Sequence, residues 1–267
     1  MVRKLLIGLA VFFVGFVVLL PVISIFNRAF ADGLGAYWTA VSDPETVFAI
    51  RLTIITALIV LPINVVFGIA AAWALARFEF PGRRALLVII ESPFAVSPVV
   101  AGLCFLLIYG AYGPVGGVLA NYNIQLMFNL TGIVLVSAFI TCPFVVREVM
   151  PVLMVTGRDE EKAALTLGAS GFQMFRLIVL PNISWGLAYG VILSAARAMG
   201  EFGAVSVVSG TIRGQTMTLP LQIELLYNNY NATGAFAAAT LLTGLALLTL
   251  AMRAVVTYFG PRKEAHA

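Results

Sequence analysis

Charge is the scarcest property of this chain. Only 10% of its 267 residues are Asp, Glu, Lys or Arg, whereas soluble domains carry about 25%. The hydrophobic share is 61%, above the roughly 45 to 50% of soluble domains. The few basic residues are scattered singly near the ends of apolar runs, which argues against a nucleic-acid-binding surface. The composition indicates an integral membrane protein.

Side chains for catalysis and metal binding are also few. The two cysteines, Cys104 and Cys142, lie in apolar runs, and the single histidine, His266, is in the C-terminal tail. Such cysteines are read as small core residues, so neither a disulfide nor a metal site is predicted. The chain has no GxxxxGK[ST] phosphate-binding loop, so it is not expected to bind ATP itself. No span holds a catalytic grouping, which disfavours a membrane-embedded enzyme.

Six apolar runs are long enough to cross a bilayer, because about 20 helical residues span its hydrocarbon core. They are predicted at residues 5–26, 52–76, 85–109, 130–146, 182–208 and 232–252. The first run is followed by Ala29-Phe30-Ala31, whose two alanines imitate a signal-peptidase site. Its 22 residues exceed the roughly 7 to 15 of a signal peptide, which favours a permanent span over a cleaved one. The fold prediction is an all-α membrane protein with one domain, residues 1–267.

The basic residues predict the orientation of these spans. With both termini on one side, that side and its margins hold 12 of the 16 Lys and Arg residues, and the opposite side holds three. Arg197 falls within a span. Because positive residues concentrate on the cytoplasmic side, both termini are predicted to be cytoplasmic.

Prolines interrupt the third span. Pro93 and Pro98 within one span predict a kinked or unwound helix, which a membrane tolerates only where neighbouring protein or a water-lined cavity satisfies the freed carbonyls. The next segment, residues 110–129, is rich in glycine and uncharged. It is expected to form an external loop or a re-entrant element.

The longest charged interval, residues 156–181, predicts two short helices on the cytoplasmic side. Thr156 is expected to cap the first, whose acidic opening turn at 159–161 suits the helix dipole. Gly168 is expected to end it. Local pattern alone favours an ordinary cytosolic loop over a specialised element.

The second short helix of this interval has its own start and stop signals. Ser170 and Gln173 have the spacing of a capping box. Pro181 is expected to separate this helix from the fifth span. Two helices joined at a glycine elbow would form a compact knob at the membrane surface.

This interval resembles the coupling motif of ABC importer permeases: EAA, three residues, glycine, nine residues, isoleucine, one residue, leucine, proline. The matching residues are Ala163, Ala164, Gly168, Ile178, Leu180 and Pro181. The resemblance implies the six-helix fold of type I importer permeases. It also implies that the knob docks into a groove on a cytosolic ATPase, which binds ATP and Mg. The knob would then carry the motion of the ATPase into the membrane.

One position departs from that motif. The motif glutamate falls on Lys162, and Glu160 and Glu161 lie just ahead of it. A glutamate one residue away points about 100° around the helix, so it does not simply replace the missing one. The expected ATPase-coupling set is therefore the six matching residues together with Glu161 and Lys162, with the contact at position 162 altered.

Three ionisable residues lie within predicted spans, where charge is costly and marks candidate functional sites. Arg197 and Glu201 are four residues apart, so they share a helix face and can pair. They are candidates for the translocation pathway or its gate, and the alternative is a structural ion pair that ties helices together. Glu91 is a third candidate, although a carboxylate so near the span's end can instead reach the interface by snorkelling.

A second resemblance is carried by the region from Ala196 to Asn231. Together with the knob, it extends the similarity over essentially the whole chain. This region is similar to that of sulfate and thiosulfate importer permeases of the W type, and GEFGA also occurs in molybdate permeases. The resemblance implies a second permease chain, a cytosolic ATPase dimer and a periplasmic binding protein in a bacterial inner membrane. It leaves a molybdate or tungstate permease open, and an ATP-independent anion carrier remains the alternative from another class.

Overall fold

The computed structural model describes residues 2–259 of the chain, and the side chains of residues 3–258. Three residues of the C-terminal tail lie outside this part: His266, and Arg262 and Lys263, which are two of the 12 basic residues counted above on the cytoplasmic side. The helices are α1 (Val2–Val14), α2 (Leu20–Ala29), α3 (Gly33–Val41), α4 (Pro44–Arg77), α5 (Arg83–Ala95), α6 (Pro98–Tyr109), α7 (Gly116–Ala120), α8 (Leu130–Thr156), α9 (Asp159–Thr166), α10 (Gly171–Met174), α11 (Leu180–Met199), α12 (Gly203–Ser209), α13 (Leu219–Asn228) and α14 (Ala232–Phe259). Within residues 2–259 there is no β-strand.

The helices account for the predicted apolar runs. Among the described residues, five helical stretches are long and apolar enough to cross a membrane: Arg3–Ala29, Pro44–Arg77, Leu130–Thr156, Gly171–Met199 and Ala232–Tyr258. The third apolar run instead forms α5 and α6, which meet at an angle of 113°. The break at Val96 and Ser97 lies directly before Pro98, whose ring disfavours helical backbone at the preceding residue. The interruption predicted from the prolines is confirmed.

Several helices extend well beyond the predicted spans. Helix α8 continues ten residues past 146, through Pro151, and ends where Gly157 adopts a φ of 72°. Arg147 and Glu148 therefore lie inside this helix and do not mark its end. Helix α4 begins eight residues before the predicted span. Apolar content shows which residues can lie in the membrane, and it does not show where the helix begins or ends.

The chain divides into two compact units, the first formed by residues 2–53 and 211–246. Its segments are joined by side chains far apart in sequence. The Thr53 hydroxyl accepts a hydrogen bond from the backbone N–H of Leu219 at 2.8 Å, and the Tyr37 hydroxyl lies 3.1 Å from that of Thr240. The first turn of α13 is buried. The region between the fifth and sixth spans thus contains a packed helix.

The second unit, residues 54–210 and 247–259, is built around the pairing of α8 and α11. Gly186 and Gly190 form a small-xxx-small pattern, which lets membrane helices approach closely. A Cβ at Gly186 would lie 2.8 Å from the Glu148 carbonyl oxygen, and one at Gly190 would lie 2.8 Å from the Val145 Cα. Side chains larger than glycine at these positions would push the two helices apart.

A buried polar group also joins three helices of this unit. The Asn64 amide, in α4, donates to the Thr141 hydroxyl of α8 at 2.6 Å and to the Ser194 hydroxyl of α11 at 3.1 Å. All three residues are almost fully buried. Hydrogen bonds between such side chains stabilise helix association in a membrane, because lipid tails are as apolar as the helices and burial in lipid gives no hydrophobic gain on association.

Candidate functional site

The interval between α8 and α11 folds as a helix, a glycine elbow and a second helix. The last turn of α9 closes through hydrogen bonds from Gly168 N–H to the Leu165 carbonyl at 3.1 Å and from Ala169 N–H to the Ala164 carbonyl at 3.0 Å. Gly168 itself has a φ of 87°, with open space where a Cβ would be. The elbow therefore requires glycine for its backbone conformation and not for lack of room. The predicted helix end at Gly168 is confirmed.

The start signals of the two short helices had different outcomes. The capping box is confirmed: the Ser170 N–H donates to Gln173 Oε1 at 2.8 Å, and the Gln173 N–H donates to Ser170 Oγ at 3.3 Å. The prediction that Thr156 caps α9 is wrong. Thr156 is the last residue of α8 and its hydroxyl donates to the Val152 carbonyl, because α8 runs on to Gly157.

The prediction that Pro181 separates the second helix from the fifth span is also wrong. Residues 171 to 199 form one continuous helix, in which a π-helical turn, Phe175–Val179, directly precedes Leu180 and Pro181. Proline lacks an N–H and its ring crowds the carbonyl four residues earlier. The wider π turn accommodates the proline without ending the helix, so the segment after the elbow is the start of the fifth span itself.

The predicted coupling residues divide between the two faces of this segment. Glu161 and Ala164 of α9 face inward, with Ala164 packed against the core around Leu153 and Val179. Lys162 faces outward with 69% of its side chain exposed, and Ala163 is exposed. Ile178 and Leu180 are half-buried and Pro181 is exposed. Lys162 thus occupies the outward position that the motif assigns to glutamate.

Arg77, a residue that sequence reasoning used only for orientation, contacts this segment. Its Nε donates to Glu161 Oε1 at 2.8 Å, and its Nη1 donates to the Leu153 carbonyl at 2.7 Å. Its side chain is 5% exposed and that of Glu161 13%. A single arginine at the end of a span gives no sign of a partner 84 residues away.

The predicted pairing of Arg197 with Glu201 is confirmed. Arg197 Nη1 lies 2.7 Å from Glu201 Oε2, and Glu201 Oε1 accepts from the Ala204 N–H at 3.0 Å. The predicted shared helix face is not observed, because α11 ends at Met199 and Glu201 lies in the break before α12. The Glu201 side chain is 1% exposed, whereas that of Arg197 is 35% exposed. The carboxylate therefore holds the helix break, and about a third of the arginine side chain stays exposed.

Glu91 is separate from this pair. It lies in α5, its side chain is exposed, and within the described part of the chain no ion pair involves it. Exposure favours the reading that it reaches the interface by snorkelling. The structure brings Arg197 and Glu201 together and leaves Glu91 outside that grouping.

Comparisons with known proteins place these features in a family. Residues 64–265 match the family described as "Binding-protein-dependent transport system inner membrane component". The chain is 53% identical over 262 residues to "Sulfate transport system permease protein CysW" of Escherichia coli (strain K12), covering 98% of this chain and 90% of that protein. It is 35% identical to "Sulfate transport system permease protein CysT" of the same organism over 260 residues, 97% of this chain and 94% of that protein.

A solved structure has the same fold. It is titled "Crystal structure of a bacterial ABC transporter involved in the import of the acidic polysaccharide alginate", and the similarity has a TM-score of 0.79 over 97% of this chain and 96% of that one. The two sequences are 17% identical. At this identity the similarity establishes the fold alone, which is that of type I importer permeases.

Proposed function

The chain belongs to the family of binding-protein-dependent transport system inner membrane components, and from this premise we propose that it imports sulfate and thiosulfate as a membrane-spanning permease subunit. It is a permease and not an enzyme, and ATP hydrolysis belongs to a separate subunit. The similarity to CysW over 98% of the chain carries the choice of solute. That both relatives named above are sulfate permeases favours sulfate over molybdate or tungstate.

The expected assembly holds this chain, a second related permease, a cytosolic ATPase dimer with ATP and Mg, and a periplasmic binding protein. Two permeases named for the same sulfate system in one organism, CysW and CysT, both resemble this chain. This supports a pair of related permease chains. We place both termini in the cytoplasm, because this puts the knob on the side where an ATPase works.

Alternating access is the mechanism that the coupling segment supports. Closure of the ATPase dimer on ATP would move α9 and α10, and hydrolysis would return them. The uninterrupted helix from 171 to 199 supports this coupling, because it reaches from the elbow to Arg197. A displacement at its first turn would reach the far end of the fifth span along one helix, since the helix does not end at Pro181.

Arg197 is the best candidate contact for the anion. A divalent oxyanion needs positive charge and hydrogen-bond donors along its route, yet a site that binds too tightly would not release it. The buried Glu201 carboxylate neutralises part of the Arg197 charge, while 35% of the arginine side chain stays exposed. This arrangement suits a weak, transient site, and the binding protein would then set most of the solute selectivity.

Accumulation of radiolabelled sulfate in proteoliposomes tests this function. The complete complex should concentrate sulfate only with ATP and binding protein present, and thiosulfate should compete. Liposomes holding this chain alone should take up none. Uptake by the chain alone would instead establish a carrier, and inhibition by molybdate but not by thiosulfate would overturn the proposed solute.

A further inference from the structure

Two adjacent glutamates in α9 have different environments. The Glu161 side chain is 13% exposed and pairs with the almost fully buried Arg77. Glu160 is exposed, and its Oε2 accepts a hydrogen bond from the exposed Asn182 amide at 2.7 Å. Exposed contacts of this kind contribute little, whereas a buried charge that loses its partner is strongly destabilising. Glu161 is therefore the glutamate whose position the fold fixes.

Arg77 joins the ends of three helices. It is the last residue of α4, it binds Glu161 in the first turn of α9, and it donates to the carbonyl of Leu153 in the last turn of α8. The last four carbonyls of a helix have no partner within the helix, and a cation there also suits the helix dipole. The guanidinium thus supplies a hydrogen-bond donor to a free carbonyl at the end of α8 and also binds Glu161 of α9.

The contact leaves the outer face of α9 free for a partner. Glu161 faces inward, and the outward residues include Lys162 and Leu165, which are exposed. The planar guanidinium, with donors in a fixed fork, can hold Glu161 and the Leu153 carbonyl in one geometry. A bond on the inner face fixes the angle at which the outer face is presented.

We propose that Arg77 is the positioning residue of the coupling segment: it clamps α9 to the ends of α4 and α8, so that motion received by α9 passes to the second and fourth spans as well as to the fifth. This inference rests on the proposed function, because it assigns the motion to a docked ATPase. It adds a route through α4 and α8 that the coupling motif, which lies wholly between 162 and 181, does not contain.

The test compares matched charge-neutralising changes in the complete reconstituted complex. Arg77→Gln and Glu161→Gln each leave one buried charge unpaired, whereas Glu160→Gln changes the neighbouring, exposed glutamate. The measured quantity is ATP hydrolysis with sulfate-loaded binding protein divided by hydrolysis without it. We expect this ratio to fall roughly tenfold in the first two variants, within the range usual for coupling between sites, and to stay at the wild-type value in Glu160→Gln.

Two further readouts separate positioning from simple stability. The unpaired charge is expected to lower the amount of assembled complex, which co-purification of the subunits measures, so the ratio is taken on the complex that does assemble. The double variant Arg77→Gln/Glu161→Gln should recover part of the ratio, because two facing amides leave no buried charge unpaired. Arg77→Lys should also recover part of it, since it keeps the charge but not the fork.

Three results would overturn the inference while leaving the proposed function intact, provided the wild-type complex responds to sulfate. One is an unchanged ratio in Arg77→Gln. Another is an equal loss in Glu160→Gln and Glu161→Gln. The third is reduced assembly with an unchanged ratio in the surviving complex. A wild-type complex that does not respond to sulfate would contradict the proposed function itself.

Discussion

Glu201 shows how single residues solve the problem of charge in this membrane protein. Its carboxylate is buried, yet Arg197 and the Ala204 N–H supply one contact to each oxygen. The backbone donor is available only because α11 stops at Met199 and α12 starts at Gly203. The charge that is costly in a membrane is thus used to join two helix ends.

Neutralising this pair should separate its structural role from its transport role. In Arg197→Gln/Glu201→Gln neither side chain is charged, and the amide oxygen at position 201 can accept from the Ala204 N–H, so no buried charge is left unpaired and we expect normal amounts of complex. Without the positive charge on the route, sulfate uptake into proteoliposomes should fall roughly tenfold, about 1.4 kcal/mol of barrier. The single change Arg197→Ala serves as a contrast, because it leaves Glu201 buried without its cation and should reduce assembly. Full uptake by the double variant would assign the pair a structural role only.

At the scale of residues, the sequence predicted a contact between residues that are close along the chain and missed contacts between residues that are far apart along it. The pairing of Arg197 with Glu201 followed from a spacing of four residues. The partner of Arg77 did not, because Glu161 is brought there by the packing of α4, α8 and α9. Asn64 was likewise unremarkable in sequence, since a lone asparagine in an apolar run gives no sign of the helices it will join.

At the scale of elements, two prolines of this chain lie within continuous helices and do not end them. Both π-helical turns, Gly15–Leu19 and Phe175–Val179, directly precede a Leu-Pro pair, at Pro21 and Pro181. Widening the turn relieves the clash between the proline ring and the preceding carbonyl. The helix end predicted at Pro181 was therefore misplaced, while the end predicted at Gly168 is real.

The elbow offers a matched test of the coupling segment. Gly168 and Gly171 both have open space around them, but only Gly168 has a positive φ. Gly168→Ala should cost about 1 to 2 kcal/mol in local backbone energy and reorient α9 against α10. Gly171→Ala should be neutral or slightly stabilising at the start of α10. We expect sulfate-stimulated hydrolysis to fall in Gly168→Ala alone, and equal activities would show that the elbow is not part of the coupling.

At the scale of the whole molecule, composition and basic-residue asymmetry predicted a helical membrane protein with six spans. The described residues form five such helices and one bent pair, and the fold comparison bears out the helical fold. The bent pair α5 and α6 shows the limit of that reasoning, because composition counts apolar residues and does not report the direction of a helix. The apolar length of the third run was right, and its 113° bend depends on backbone geometry at one proline.

Orientation is the whole-molecule property that labelling tests most simply. Glu79 lies in the exposed turn between α4 and α5, and Arg213 is half-exposed in the segment between α12 and α13. In a background with Cys104→Ser and Cys142→Ser, each is changed to cysteine in turn. A membrane-impermeant maleimide should label position 213 from outside and position 79 only in inverted vesicles. The reverse pattern would place both termini outside.

The most direct test of the central claim is ATP hydrolysis by the complete complex, reconstituted in membranes with binding protein loaded in turn with sulfate, thiosulfate and molybdate. The account predicts that sulfate-loaded and thiosulfate-loaded protein stimulate hydrolysis and that molybdate does not. Stimulation by molybdate alone would keep the importer architecture and contradict the solute. Hydrolysis that no loaded binding protein changes would contradict the claim that this chain couples an ATPase to anion import.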